Sequence, residues 1–188
     1  HLCEMLENLN DKVFSLCGSR VNPVFSASKM TWIREERPEI YEKTYKFMVI
    51  PDYLIYLMTG NLYTDYTYGS LLMNIRTHEW DDELLEIFRV EKEKLCNLIE
   101  PGSVCGYTTE RFAEITGCKT GIPVITAGGD QQCGAIGQGV VKKGTLSVTT
   151  GTGGYLIAQT DQVPDNLEQD VICNFSSVKG QYILESSV

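Results

Sequence analysis

Asp130 is the residue of this 188-residue chain whose setting best suits chemistry. It follows the apolar stretch 123–127 and a pair of glycines, and two glutamines come after it. The carboxyl end of a strand is where open α/β sheets bind ligands, and glycines let a substrate approach the backbone closely. One interpretation is a general base or hydroxyl-orienting carboxylate, with Gln131 as a hydrogen-bonding neighbour. The other is the N-cap of the following helix, and the spacing alone favours that second interpretation.

A glycine-rich loop, Thr149 to Gly154, is the second candidate site. Its unhindered backbone N–H groups and hydroxyls, centred on Gly151, Thr152 and Gly153, could bind a polyphosphate where positive side chains are scarce. No lysine follows, so it is not a Walker A loop, and it lacks the G-x-G-x-x-G spacing of dinucleotide sites. A tight hairpin without a ligand explains the loop equally simply, and the pattern by itself favours that explanation.

Tyrosines cluster in the first half of the chain, in a helix end and the loop after it. They could form a platform on which a sugar stacks, but their irregular spacing is more typical of interface packing. The residues concerned are Tyr53, Tyr56, Tyr63, Tyr66 and Tyr68.

Composition limits the partners. The formal net charge is -9 and the pI about 4.7, so nucleic acid and anionic membranes would be repelled on average. An acidic chain that handles a nucleotide needs Mg²⁺ or backbone donors as counter-charge. The seven cysteines are an odd number and scattered, and only two histidines accompany them, which favours free thiols in a reducing cytoplasm over disulfides or structural zinc. No n-region followed by an apolar h-region opens the chain, and no apolar run approaches the roughly 18 residues that a membrane span needs.

Capping residues and apolar periodicity predict helices that begin near Ser26 or Ser28, at Pro51, after Asp81 and after Thr108 or Thr109. After Gly121 the pattern changes to short apolar strands. A buried strand is expected at 123–127, a small-residue helix at 131–139, and two hairpin strands at 145–149 and 155–158. Further strands are expected at 171–175 and 181–184. The stretch 142–144 predicts a boundary between two domains, residues 1–142 and 143–188.

Three segments in this order resemble the FGGY family of carbohydrate kinases. They are 25–36, with its Lys29 and Trp32; 121–132, which contains the Gly-Gly-Asp-Gln-Gln run; and 144–155, which contains the Gly-Thr-Gly loop. The stretch 64–67, with Trp80 after it, also suits the family pattern. The resemblance covers nearly the whole chain and is therefore far more specific than any one motif.

The resemblance implies an α/β fold of the actin-like ATPase (ribonuclease H-like) class, of which this chain holds the end of the first, sugar-binding domain and the start of the second, nucleotide-binding one. It implies ATP-dependent, Mg²⁺-assisted phosphorylation of a sugar hydroxyl in a cytoplasmic enzyme. Asp130 would be the catalytic base, Asp130, Gln131 and Tyr155 would contact the sugar, and Gly151, Thr152 and Gly153 would bind the nucleotide phosphates. Sugar and ATP are the expected partners, and a homodimer is left open.

Departures from the family pattern qualify these expectations. The family's opening phosphate loop and its adenosine-binding segment have no counterpart here, so the chain alone is expected to be inactive. Val24 stands where glycerol-type members place a substrate-contacting tyrosine, which disfavours glycerol, although the run Gly129 to Gln132 is similar to that of glycerol kinases. The helical middle of the chain resembles xylulokinases more closely, so a ketopentose such as xylulose is expected. A non-catalytic carbohydrate-binding or regulatory module of the same fold is the alternative, and an actin-like assembly protein is a third hypothesis. A carboxylate beside a phosphate loop argues against both, because neither needs a base.

Overall fold

A computed structural model describes residues 2–69, 71–151, 154–168 and 170–187. Helices dominate up to residue 116, and most strands follow. The helices are α1 (Leu2–Met5), α2 (Asn10–Cys17), α3 (Ser26–Glu36), α4 (Pro38–Lys43), α5 (Ile50–Thr59), α6 (Asp82–Phe88), α7 (Glu110–Thr116) and α8 (Asp130–Gly137). The strands are β1 (Tyr63–Asp65), β2 (Asn97–Ile99), β3 (Val104–Tyr107), β4 (Pro123–Ile125), β5 (Leu146–Thr150), β6 (Gly154–Thr160), β7 (Ile172–Phe175) and β8 (Tyr182–Ser187).

The helix ends follow ordinary capping chemistry. Asp81 caps α6 by accepting from the N–H groups of Glu83 and Leu84, and Thr109 caps α7 through the N–H of Phe112. The prediction of a serine cap for α3 was wrong. Phe25 is the N-cap there and Ser26 is already helical, because the backbone turns one residue earlier than the nearest capping side chain.

Helices α2, α3 and α6 enclose the main hydrophobic core. Phe88, Leu84, Val13 and Ala27 are completely buried in it, together with the turn that contains Leu71. In the part of the chain that the structure describes, no helix is long and apolar enough to cross a membrane.

The later strands form an antiparallel sheet in the order β5-β6-β8-β7. Its β5-β6 pair is the predicted glycine-rich hairpin. Helix α8 packs on this sheet through Ala135, which meets Ile157 and Ile183. Two smaller pairs complete the architecture: β1 runs parallel to β2, and β3 antiparallel to β4. The domain boundary near residue 142 stays a prediction.

The strand before Asp130 is less buried than the sequence predicted. Of β4, only Val124 is buried, and Ile125 is 56% exposed. Within the described residues β4 pairs with β3 alone, so its other edge has no strand beside it.

Asp52, in the first turn of α5, is a buried carboxylate with an incomplete set of partners. One carboxylate oxygen, Oδ2, accepts from the N–H of Val49 at 3.2 Å, while Oδ1 has no hydrogen-bond partner within the described segments. Burial raises the pKa of the Asp52 carboxyl from 3.8 to about 6, and the nearby charge of Asp65 acts in the same direction. At neutral pH the charged form therefore costs stability.

We expect Asp52→Asn to stabilise the protein, and the gain to depend on pH. A carboxyl whose folded pKa exceeds its unfolded pKa destabilises above the folded value, and this cost disappears below the unfolded value. The predicted gain in unfolding free energy is at most about 3 kcal/mol at pH 8 and about half of that at pH 5. Urea unfolding at both pH values measures it, with the exposed Asp165→Asn as control. A gain that is equal at both pH values would contradict the assignment of a raised pKa.

Candidate active site

Asp130 is the first residue of α8 and is exposed. Gly129, not Asp130, occupies the N-cap position, so the N-cap interpretation of Asp130 is wrong. Its Oδ1 accepts from the adjacent N–H of Gln131 at 2.8 Å. Oδ2 has no hydrogen-bond partner within the described segments.

Asp130 lines a cavity of about 370 Å³, here called the Asp130 cavity. Val24 and Phe25 contribute to the wall just before α3, Tyr66 to Gly69 contribute another part, and Asn174 and Phe175 of β7 a third. This volume is in the range of small-molecule sites, and aromatic rings beside a few polar groups are typical of them. The full lining is Cys17, Ser19, Val24, Phe25, Ser26, Val49, Tyr66, Thr67, Tyr68, Gly69, Leu71, Met73, Asp130, Asn174 and Phe175.

The four residues that precede Asp130, 126–129, form what we call the Asp130 loop. The Thr126 hydroxyl donates to Asp65, a carboxylate that is only 1% exposed. Asp65 also accepts from the backbone N–H and the hydroxyl of Thr67, at 2.9 and 2.8 Å. The Tyr68 hydroxyl donates to the carbonyl of Gly128 at 3.2 Å. Buried polar groups satisfied in this way hold a backbone rigidly, so the position of Asp130 is fixed by its neighbours.

Several of these residues were missed by sequence reasoning. For the tyrosines, the sequence favours packing over a sugar-stacking platform. Tyr66 does pack, since its ring contacts that of Phe175 at 5.3 Å between centroids. It also lines the Asp130 cavity. Tyr68 is different, because it both lines the cavity and bonds the Asp130 loop. The run Thr64 to Thr67 was noted only as a family pattern. The hydrogen bonds of Asp65 and Tyr68 to the Asp130 loop join residues about 60 positions apart, and no local sequence pattern predicts such pairs.

A second acidic residue, Glu185 of β8, lies near Asp130. Burial raises the pKa of the Glu185 carboxyl, and the negative charge of Asp130 raises it further. Glu185 lies opposite Ile157 in the sheet and two residues from Ile183, and both of those pack against α8. The strand alternation therefore places Glu185 on the helix-facing side of the sheet.

The other predicted site residues are less completely described. Gly151 is exposed and follows β5 directly, at the turn of the hairpin. Thr152 and Gly153 lie outside the described residues. Tyr155 is 37% exposed and pairs with Thr149, and it is not among the residues that line the Asp130 cavity. Gln131 is partly buried beside Asp130.

Solved structures show which fold this architecture represents. The chain superposes on the xylulose kinase from Rhodospirillum rubrum with a TM-score of 0.92, at 18% identity, over 99% of this chain and 38% of that one. It matches the Plasmodium falciparum glycerol kinase with ADP at a TM-score of 0.87 and 26% identity, over 100% of this chain and 40% of that one. The α/β fold is that of the actin-like ATPases, as expected from the sequence.

The sequence of the chain then identifies its family. The model of the N-terminal domain of the FGGY family of carbohydrate kinases matches residues 1–137. The chain belongs to the FGGY family of carbohydrate kinases.

Curated relatives include more than one kind of kinase. Glycerol kinase of Thermococcus onnurineus is 39% identical over 98% of this chain and 39% of its own length. Xylulose kinase of Bacillus subtilis is 29% identical over 84% of this chain and 32% of its own length. The chain therefore spans between about a third and two fifths of the length of these curated relatives.

Proposed function

We propose that this chain is part of an enzyme that transfers the γ-phosphoryl group of ATP to a hydroxyl of a small polyol or sugar. The observation that carries the proposal is the position of Asp130, an exposed carboxylate at the wall of the Asp130 cavity in a chain of the FGGY family. The alternative of a non-catalytic binding module has no observation in its favour. The residues required for catalysis extend beyond this chain in the proposal, so the chain alone would show no turnover.

Asp130 would accept the proton of the attacking hydroxyl. Phosphoryl transfer needs an oxygen nucleophile that is held in line and loses its proton late, and a carboxylate within hydrogen-bond reach does this. The Asp130 loop would hold that carboxylate in place, and Gln131 beside it would contact the acceptor. Tyr155, expected from the sequence to contact the acceptor as well, does not line the Asp130 cavity and has no part in this proposal.

The hairpin loop at Gly151, Thr152 and Gly153 would supply backbone donors to the nucleotide phosphates. Mg²⁺ takes one or two carboxylates and completes its shell with phosphates and water, so it needs no dedicated protein cage. Glu185, the second carboxylate near Asp130, would be the ligand available in this chain, which leaves Asp130 free to act as the base. When bound, the ion would neutralise charge on the phosphoryl oxygens. Within the described segments no group of three or more ligating side chains forms a metal site.

Two acceptors are supported by different observations. Glycerol is favoured by the identities, since the matched glycerol kinases from Thermococcus species are 33 to 39% identical to this chain. A ketopentose is favoured by Val24, which lies in the wall of the Asp130 cavity where the family resemblance places a tyrosine in glycerol-type members. A panel of polyols and ketoses, assayed with the full-length protein by coupled detection of ADP, distinguishes them. ADP formation that no acceptor increases would contradict the proposed function.

Val24→Tyr is expected to shift this preference. Val24 is 67% exposed, so the cavity wall can accept a larger ring, and a tyrosine there adds a hydroxyl and a flat surface for a small polyol. We expect the ratio of kcat/KM for glycerol to that for xylulose to rise about tenfold, the effect of one new contact in a pocket. Val24→Phe is the matched control, because it adds the ring without the hydroxyl. An unchanged ratio in Val24→Tyr would exclude residue 24 from acceptor selection.

A further inference from the structure

Ser177 contacts the Asp130 loop from the four-stranded sheet. It lies in the turn between β7 and β8, and its hydroxyl donates to the carbonyl of Ala127 at 2.5 Å. Ala127 is three residues before Asp130. The two partners are 50 residues apart in sequence, so this is a tertiary contact between the sheet and the loop.

The backbone at Gly128 is shaped to admit Ser177. Gly128 has φ +92°, and a Cβ built there would overlap the Ser177 hydroxyl oxygen. A side chain at residue 128 would therefore push the turn away from the loop. The absence of a side chain allows the β7–β8 turn to approach the Asp130 loop closely.

Other groups also bond this loop. The Cys133 thiol, in α8, contacts the Ala127 and Gly128 carbonyls at 3.4 and 3.7 Å, and further bonds come from residues earlier in the chain. The Asp65 carboxylate accepts a hydrogen bond from the Thr126 hydroxyl, and the Tyr68 hydroxyl donates one to the Gly128 carbonyl. Both belong to the part of the chain that precedes the loop, whereas Ser177 follows it. Among the hydrogen bonds of the described residues, the Ser177 bond is the one that joins the β5–β8 sheet directly to the Asp130 loop.

We propose that Ser177 is a positioning residue for Asp130, one that couples the orientation of the carboxylate to the position of the β5–β8 sheet. This rests on the proposed function, in which that sheet belongs to the nucleotide-binding side. Ser177 holds the Ala127 carbonyl, and Asp65 holds the hydroxyl of the neighbouring Thr126. Together these bonds fix the backbone that leads into α8 and so the direction in which Asp130 points. A displacement of the sheet would lengthen or break this bond from Ser177 and so alter the support of the loop.

The matched variants come from the same turn. Ser177→Ala removes the hydroxyl, and Ser177→Thr keeps it. Lys179→Ala removes an exposed ion pair with Glu100, at 3.1 Å, without touching the loop. In the full-length enzyme we expect kcat to fall about fivefold in Ser177→Ala, the size of one lost hydrogen bond, with KM for ATP and acceptor unchanged. Ser177→Thr and Lys179→Ala should stay within twofold of the parent.

Equal losses in Ser177→Ala and Ser177→Thr would overturn the proposal, because the hydroxyl would then not be the acting group. A rise in KM for ATP at constant kcat would also overturn it, since that would make Ser177 a nucleotide-binding residue. A double-mutant cycle adds a sharper test. Gly128→Ala should be less harmful when Ser177 is already alanine, because the overlapping oxygen is gone. Additive effects of the two changes would contradict the contact.

Hydrogen exchange tests the same contact without reference to activity. In Ser177→Ala the amides of residues 127–133 should exchange faster than in the parent, and in Ser177→Thr they should not. If the full-length protein transfers no phosphoryl group, the proposed function fails, whereas this exchange measurement still decides whether Ser177 holds the loop. Unchanged exchange in Ser177→Ala would overturn the proposal.

Discussion

Replacing Asp130 by Asn in the full-length enzyme is expected to lower kcat by about 10²-fold or more while the affinity for the acceptor changes little. Asn keeps the shape of Asp and can still accept from the N–H of Gln131, so α8 should begin as before. It cannot take a proton from the acceptor hydroxyl. The loss would therefore fall on the chemical step, not on binding.

Steady-state kinetics with saturating ATP measure this effect, and equilibrium binding of the acceptor gives the affinity. The control is Asp161→Asn, which removes another exposed carboxylate, one paired with Lys143 at 2.8 Å and remote from the loop. Turnover in Asp130→Asn at the parental rate would show that the base is elsewhere. A loss of activity that is explained entirely by unfolding would lead to the same conclusion. Unfolding would be seen as loss of the helical signal in circular dichroism.

Removing Asp65 is expected to have the largest effect on stability. In Asp65→Ala the backbone N–H and the hydroxyl of Thr67 and the hydroxyl of Thr126 all lose their acceptor in a fully buried site. Hydrogen bonds to a buried charge are worth about 1.5–3 kcal/mol each, so a loss of about 3 kcal/mol or more is expected. The Asp130 loop loses the bond that holds Thr126, and kcat should fall as well.

Denaturant unfolding of Asp65→Ala, Asp65→Asn and Asp81→Ala separates this network from ordinary helix capping. Asn retains an acceptor for Thr67, so it should lie between Asp and Ala. Asp81 caps α6, and its loss should cost only about 1 kcal/mol. A cost for Asp65→Ala no greater than that of Asp81→Ala would contradict the role given to the network.

The parts of the fold that the sequence could predict are those set by neighbouring residues. The Asp81 and Thr109 caps, the hairpin before Gly154 and the strand that leads to Asp130 all follow from residues a few positions apart. The same local rules misplaced the start of α3, where Phe25 and not a serine occupies the N-cap position. They also overstated the burial of β4, because burial depends on the elements that surround a strand in the fold, which its own residues do not specify.

The candidate site could be predicted only as far as Asp130. The bonds from Asp65 to Thr126 and from Tyr68 to Gly128 join residues about 60 positions apart, and no periodicity encodes such pairs. Ser177 stands in a short polar turn that looks like any other loop. The roles of these residues can be recognised only from the folded structure, in which distant parts of the chain are in contact.

The measurement that tests the account most directly is a crystal structure of the full-length enzyme with its acceptor and a non-hydrolysable ATP analogue. We predict that one carboxylate oxygen of Asp130 lies about 2.6–3.2 Å from an acceptor hydroxyl that points in line at the γ-phosphorus. The acceptor should lie in the Asp130 cavity, beside Val24 and Tyr68. An acceptor bound outside this cavity, or an Asp130 carboxylate turned away from every acceptor hydroxyl, would contradict it.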